Sequence, residues 1–193
     1  MSLYLIRHGK TRGNLERRYT GCRTDEPLCS EGLETLKKLR LPPVSRVICS
    51  PMKRCLQSAG FLFPGRVPEI VPDFRECDFG DFEGKSFEEL KDSEAYCAWV
   101  SSGGELPFPG GESRKEFAAR CVRAFGALRL WESPGNCALV VHGGTIMAIL
   151  EAYAIPAGEY FDFQTGCAEG YVLEEDGRYR KLPASAATAD SRL

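Results

Sequence analysis

The chain has 193 residues, 43% of them hydrophobic, enough for one compact domain with a substantial core. Its 25 basic and 27 acidic residues leave a formal net charge of −2, which gives no electrostatic reason to expect nucleic acid or an acidic membrane as partner. No apolar run is long enough to span a bilayer, and the N-terminal segment lacks the basic start, apolar stretch and cleavage site of a secretory signal, so a cytoplasmic protein is expected.

Residues 2–7 read as a buried strand, cut off by Gly9. A helix is expected from Ser30, with Ser30 as its N-cap, Leu33, Leu36 and Leu39 on its inner side, and Pro42-Pro43 closing it. Val44 to Cys49 reads as a second strand, after which Ser50-Pro51 opens another helix with proline in its first turn. A short strand is expected near 69–71, then an acidic, aromatic loop over 73–84, two helical pieces within 86–101 and a Gly/Pro loop over 103–111. Glu112 to Trp131 carries Phe117, Cys121, Phe125 and Leu128 at helical spacing, with Arg114, Lys115, Arg120 and Arg123 as its polar surface. Asn136 to Val141 reads as a buried strand, Gly143-Gly144 leads into a helix through Tyr153, and 161–182 reads as a hairpin turning at Asp176-Gly177.

Strands alternating with helices predict an α/β three-layer sandwich around a mainly parallel sheet. A single domain is expected over 1–183, with residues 184–193 a flexible tail. The nine cysteines are scattered, with no CxxC pair, which argues for reduced, mostly buried small side chains rather than a zinc site.

The chain has two histidines, and each ends a predicted strand just before glycine, in Arg7-His8-Gly9 and in Val141-His142-Gly143-Gly144. Ligands of open parallel sheets bind beyond the carboxyl ends of the strands, so both imidazoles are expected at one sheet edge. Arg54 reaches the same edge from the strand that ends at Cys49. Glycines after the histidines allow close approach of the backbone and free their amides for an anion, and arginine forks match phosphate oxygens. Two histidines, two arginines and exposed amides, including that of Gly143, make a phosphate pocket.

The segment Leu5–Asn14 resembles the RHGxTxxN signature of the histidine phosphatase superfamily, also called phosphoglycerate mutase-like. Further blocks follow in order: Thr20-Gly21, Asp25 with Pro27-Leu28 and Gly32, Ser50–Ala59, Arg75-Glu76 with Phe79–Gly84, Pro109–Ser113 and His142–Ile146, covering about the first 150 residues. The resemblance implies that His8 attacks phosphorus and becomes a phosphohistidine, its other ring nitrogen held by a backbone carbonyl. It implies that Arg7, Arg54 and His142 bind the equatorial oxygens, and that Glu76 is the general acid that protonates the leaving alkoxide and then activates water. Asn14, Thr20 and Gly21 resemble the family's substrate-contacting loop. Two departures stand out: Gly13 where many relatives carry an aromatic residue, and Lys10 where many carry Glu.

No metal or cofactor is implied, and the expected partner is a small phosphorylated substrate. Cysteine-dependent phosphatase chemistry needs five residues between Cys and Arg, whereas Cys49 and Arg54 have four between them. A DxDxT motif is absent, and Gly80–Ser86 is one residue short of a P-loop. Cofactor-dependent mutases of the family are usually longer, and the blocks Cys77–Gly84 and Pro109–Ser113 look more like those of α-ribazole phosphatases and related small phosphatases. Hydrolysis of a phosphomonoester such as α-ribazole 5′-phosphate is therefore expected, with a mutase as the alternative. A non-catalytic phosphate-binding scaffold is the reading from another class, and the presence of His8, Glu76 and His142 argues against it.

Overall fold

The structure, a computed structural model, describes residues 1–182; the expected tail over 184–193 lies outside the described residues. Six strands, β1 (Ser2–Arg7), β2 (Arg46–Cys49), β3 (Glu69–Ile70), β4 (Cys137–Val141), β5 (Gly170–Glu174) and β6 (Tyr179–Lys181), form one sheet in the order β3-β2-β4-β1-β5-β6. The first four are mutually parallel, while β5 and β6 are a hairpin added antiparallel to β1.

Side chains of the inner strands alternate between two cores. Leu3 and Leu5 of β1, Ile48 of β2, and Cys137, Leu139 and Val141 of β4 face one layer of helices. That layer is α6 (Arg114–Ala127) and α7 (Gly143–Tyr153), through Phe125, Ile146, Ile149 and Leu150. The intervening Tyr4, Ile6, Val47, Cys49, Ala138 and Val140 face α3 (Lys53–Leu62) through Cys55 and Ala59. Burial on both faces is why these strands read as continuous apolar runs, and it gives the three-layer sandwich expected from the sequence. No helix of the described residues is long and apolar enough to cross a membrane.

The remaining helices are short: α1 (Arg12–Leu15), which has no counterpart among the expected elements, α2 (Ser30–Leu36), α4 (Phe87–Leu90) and α5 (Glu94–Ser101). Several boundaries differ from expectation. The N-cap of α2 is Cys29, whose sulfur accepts from the Gly32 amide, and the helix ends at Leu36. Leu36 is buried, but Leu33 is 37% exposed, because a two-turn helix presents only a narrow stripe to the core. Pro51 precedes α3 rather than opening it; the Asp25 carboxylate caps that helix by accepting from the Lys53 amide at 2.7 Å.

The long helix begins at Arg114 behind a Ser113–Glu116 capping box and stops at Ala127. Arg120, expected on its polar surface, is instead 5% exposed and lies on the core stripe with Phe117 and Cys121. The hairpin turns at Asp176-Gly177 as expected, with Gly177 at φ +83°, but it starts only at Gly170; residues 160–163 form a 3-10 turn. Gly80, at φ +53°, lies flush against Pro109 and Gly111, and a Cβ there would sit 2.1 Å from the Pro109 carbonyl oxygen. This contact fastens the loop after β3 to the Gly/Pro loop before α6.

Candidate active site

The register of β1 on β4 pairs Arg7 with Val141, and the His8 amide donates to the Val141 carbonyl at 3.0 Å. The two histidines therefore leave adjacent parallel strands side by side, their ring centroids 5.2 Å apart. Both are buried. His8 Nδ1 lies 2.7 Å from the Gly9 carbonyl oxygen, an acceptor that can only receive a proton, so Nδ1 carries the hydrogen and Nε2 keeps its lone pair. This is the tautomer a nucleophile needs.

Burial, followed by the positive charges of Arg54 and Arg7, holds the His8 pKa well below its usual value. Burial, then Arg54, His8 and Arg7, does the same to His142. The imidazoles are thus neutral near pH 7, and His8 is available as a base-form nucleophile. His142 Nε2 lies 2.7 Å from Ser50 Oγ, and its Nδ1 lies 3.8 Å from Glu76 Oε2. Because Ser50 Oγ also accepts from the Met52 amide, its hydroxyl proton can go to Nε2, leaving Nδ1–H turned toward Glu76. Ser50 is a residue whose role sequence reasoning misses; its place right after a strand is the available signal.

The arginines are fixed by carbonyl oxygens. Arg7 donates through one terminal nitrogen to Thr165 O at 2.6 Å, and Arg54 donates to Thr24 O at 2.8 Å and Gly21 O at 3.2 Å. Among the described residues neither is neutralised by a carboxylate ion pair, and the Nε–H of each is buried without a hydrogen-bond partner. Orphaned buried donors are costly, and two of them beside two neutral imidazoles fit an anion. Glu76 is 8% exposed, and its pKa is raised by burial, against the opposing pull of the Cys77 amide and of Arg54, Arg7 and Arg120. A carboxyl held toward its protonated form is what proton donation to an alkoxide requires. His8, Glu76, Arg7, Arg54 and His142 are thus brought together.

The glycines and the 14–21 segment are placed as follows. The Gly9 amide, expected to be free for an anion, donates to Ser58 Oγ at 3.0 Å, and Ser58 in turn donates to the Arg54 carbonyl, so this amide braces the site instead. Gly143 and Gly144 are the first residues of α7, where amides lack a partner within the helix. Gly144 has no room for a side chain: a Cβ would lie 2.8 Å from the Phe117 ring and 3.1 Å from Glu76 Oε1. Asn14 Oδ1 accepts from the Thr11 amide in the cap of α1 and from the Cys167 thiol at 3.5 Å, which leaves its amide nitrogen as the group to serve a substrate. Thr20 and Gly21 present their carbonyls to Arg54, and the Gly21 amide is taken by Glu83. Gly13 lies against Thr20 and Glu26, which fill the space an aromatic side chain would need, and Lys10 pairs with Glu31 at the surface.

The profile of the histidine phosphatase superfamily (branch 1) matches residues 3–186. The chain belongs to the histidine phosphatase superfamily. The match runs beyond the first 150 residues, over the segment that contributes β5 and the Thr165 carbonyl. The adenosylcobalamin/alpha-ribazole phosphatase of Salmonella typhimurium is 32% identical over 178 residues, covering 86% of this chain and 88% of that protein. The protein of the same name from Escherichia coli K12 is 31% identical, covering 86% and 87%. A crystal structure of phosphoglycerate mutase from Thermus thermophilus superposes with a TM-score of 0.73 at 29% identity, covering 95% of this chain and 99% of that one. The histidine phosphatase fold and a phosphatase-type enzyme follow.

The nine cysteines are all free, and five of them are buried. Cys22, Asp78 and Glu83 bring their ligand atoms within 4.8 Å of one another. Their carboxylates are already engaged, Asp78 by Arg23 and Glu83 by the Gly21 amide and the Thr24 hydroxyl.

The depressed imidazole pKa values carry a stability consequence with a definite sign. An unfolded histidine, near 6.5, takes up its proton before the buried one does, so these two residues favour the folded state above about pH 6.5 and lose that contribution as pH falls below it. Because the chain contains two histidines, their NMR titrations are readily separated. Both midpoints are expected to lie below 6.5 in phosphate-free buffer; a midpoint of 6.5 or above for either would contradict the assignment.

Proposed function

We propose that the chain hydrolyses a phosphomonoester through a phosphohistidine at His8, and that its leaving group is a flat aromatic nucleoside, with α-ribazole 5′-phosphate the leading substrate. The observation that carries this is a cavity of about 290 Å³ that opens on Arg7 and Glu76 and is otherwise walled largely by Tyr19, Phe79, Trp99, Phe108 and Phe117. Trp99 and Phe108 are stacked, with ring centroids 4.8 Å apart and 30° between their planes. Aromatic walls beside a proton donor suit a leaving group that is planar and largely apolar.

In the reaction, His8 Nε2 attacks phosphorus and the bond to the leaving oxygen breaks as Glu76 delivers its proton there. Arg7, Arg54 and His142 hold the three equatorial oxygens, where negative charge must be balanced in the transition state. Glu76, now ionised, removes a proton from water, which attacks the phosphohistidine, and phosphate leaves with His8 restored. The relatives named for alpha-ribazole phosphatase activity support the substrate reading.

The mutase alternative has relatives named for it too. A mutase must retain a second phosphate or a carboxylate on the far side of the cavity. The one cation lining that side among the described residues is Arg114, and it is engaged by Glu105 and by the rings of Tyr160 and Phe161. This favours release to water.

The test is a phosphate-release screen over α-ribazole 5′-phosphate, 3-phosphoglycerate, fructose bisphosphates and phosphoserine. The nucleotide should exceed the others in kcat/KM by at least about tenfold, since an aromatic ring contributes roughly 1.5–3 kcal/mol on burial. Trp99→Ala should raise KM for it by about tenfold and leave small alkyl phosphates nearly unaffected. Equal turnover of 3-phosphoglycerate, or its conversion to the 2-phosphate isomer, would overturn the reading.

A further inference from the structure

Glu76 stands on irregular backbone between two 3-10 turns, Pro72–Phe74 and Gly80–Phe82. Among the described residues, the hydrogen bond that reaches its carboxyl group comes from its own neighbour, the Cys77 amide, at 3.0 Å. Where the carboxyl sits is therefore decided by where the main chain sits. The carbonyls of that main chain are gripped chiefly by one side chain from another element, Arg120 of α6, with a longer contact from the Cys121 sulfur of the same helix to the Asp73 carbonyl at 3.9 Å.

Arg120 uses every donor it has. Nε and one terminal nitrogen grip the two oxygens of Glu112 at 2.7 and 2.9 Å, in the fork geometry that suits arginine and carboxylate. The other terminal N–H groups donate to the carbonyls of Asp73, Arg75 and Glu76, the last two at 2.8 and 3.0 Å. A guanidinium has five N–H donors, and all five are paired here. Glu112 completes the clamp: its amide donates to the Asp78 carbonyl at 2.9 Å, and its carboxylate accepts from the Asp78 amide. The ion pair is buried, 6% and 14% exposed, so it is screened little by solvent.

We propose that Arg120, locked by Glu112, is a positioning residue for phosphoryl transfer: it fixes the Asp73–Glu76 main chain so that the Glu76 carboxyl stays within reach of the leaving oxygen. The proposal rests on the reading of Glu76 as the proton donor. Misplacing such a group by about 1 Å can cost on the order of a hundredfold in rate, and lysine can substitute only in part, because a single ammonium cannot span three carbonyls and a carboxylate. Glu76 is faced by Arg7 from β1, Arg54 from α3, Arg120 from α6 and His142 after β4, so it has positive neighbours whether or not Arg120 is present. The distinctive contribution of Arg120 is geometric.

The test compares kcat and KM of Arg120→Gln, Arg120→Lys and Glu112→Gln on glycerol 2-phosphate, whose alkoxide needs a proton, and on 4-nitrophenyl phosphate, whose leaving group hardly does. A variant that is merely less folded loses both activities by the same factor. Arg120→Gln should lower kcat about 10- to 100-fold on the alkyl ester, with KM nearly constant, and less than about threefold on the nitrophenyl ester. It should add little to Glu76→Gln in the double variant. Arg120→Lys and Glu112→Gln should show the same bias more weakly, and they decide the matter if Arg120→Gln does not fold. Equal losses on both esters in these variants, while Glu76→Gln remains selective, would overturn the positioning role alone. An unselective Glu76→Gln would remove the proton donor itself and the proposal with it.

Discussion

His8→Ala should retain less than about 10⁻⁴ of wild-type turnover, a loss of at least about 5.5 kcal/mol in transition-state stabilisation. The size follows from what surrounds the vacated position. Cys55, which contacts His142, is buried, and burial pushes its thiol well above the usual range, so it offers no thiolate. The Ser50 hydroxyl is committed to His142, and His142 itself presents to the site a nitrogen that carries a proton. None of them can take the phosphoryl group. The arginines and His142 would still bind a phosphate ester, so KM should change far less than kcat. Wild-type protein quenched during turnover should carry an acid-labile, base-stable phosphoryl group that the variant lacks. Activity within about a hundredfold of wild type would remove His8 from the nucleophile role.

Glu76→Gln should lower kcat on alkyl phosphates by about 10²- to 10³-fold and on 4-nitrophenyl phosphate by less than about tenfold. Glutamine keeps the shape of the side chain and can still accept from the Cys77 amide, so the comparison isolates the proton. With the activated ester, loss of the nitrophenolate needs no help, and the step that suffers is attack of water on the phosphohistidine. The selective loss should therefore appear as slow phosphoenzyme formation with the alkyl ester, whereas with the nitrophenyl ester formation stays fast and the common hydrolysis step limits turnover. Single-turnover measurements separate the two. Equal losses throughout would mean that Glu76 only shapes the pocket.

The sheet and its two histidines were legible because buried parallel strands are apolar on both faces. Leu3–Ile6 and Ala138–Val141 are uninterrupted runs, the first followed by Arg7-His8-Gly9 and the second by His142-Gly143. Arg54 was legible from the strand that ends just before it, and Glu76 from the resemblance of its motif. Arg120 was not, since a charge among apolar residues of a helix reads as surface until its partners are known, and besides Glu112 those partners are main-chain carbonyls 44 to 47 residues away. The aromatic cavity was invisible for the same reason: Tyr19, Phe79, Trp99 and Phe108 come from separate segments, none with a helical or strand period that points to a common space. Leu33 was misplaced because three leucines at spacing three predicted a longer helix than the chain before Pro42 makes.

The pairing of Arg7 with Val141 has a consequence for how such an enzyme can diversify. The separation between the His8 and His142 rings is set by a ladder in the middle of the molecule, where sliding by one residue would swap every side chain of a strand between the two cores. The ring wall of Trp99 and Phe108, by contrast, hangs on peripheral segments that the ladder does not constrain. Exchange of those outlying segments can give a new preference among alcohols while the central bond-making geometry stays where hydrogen bonding put it.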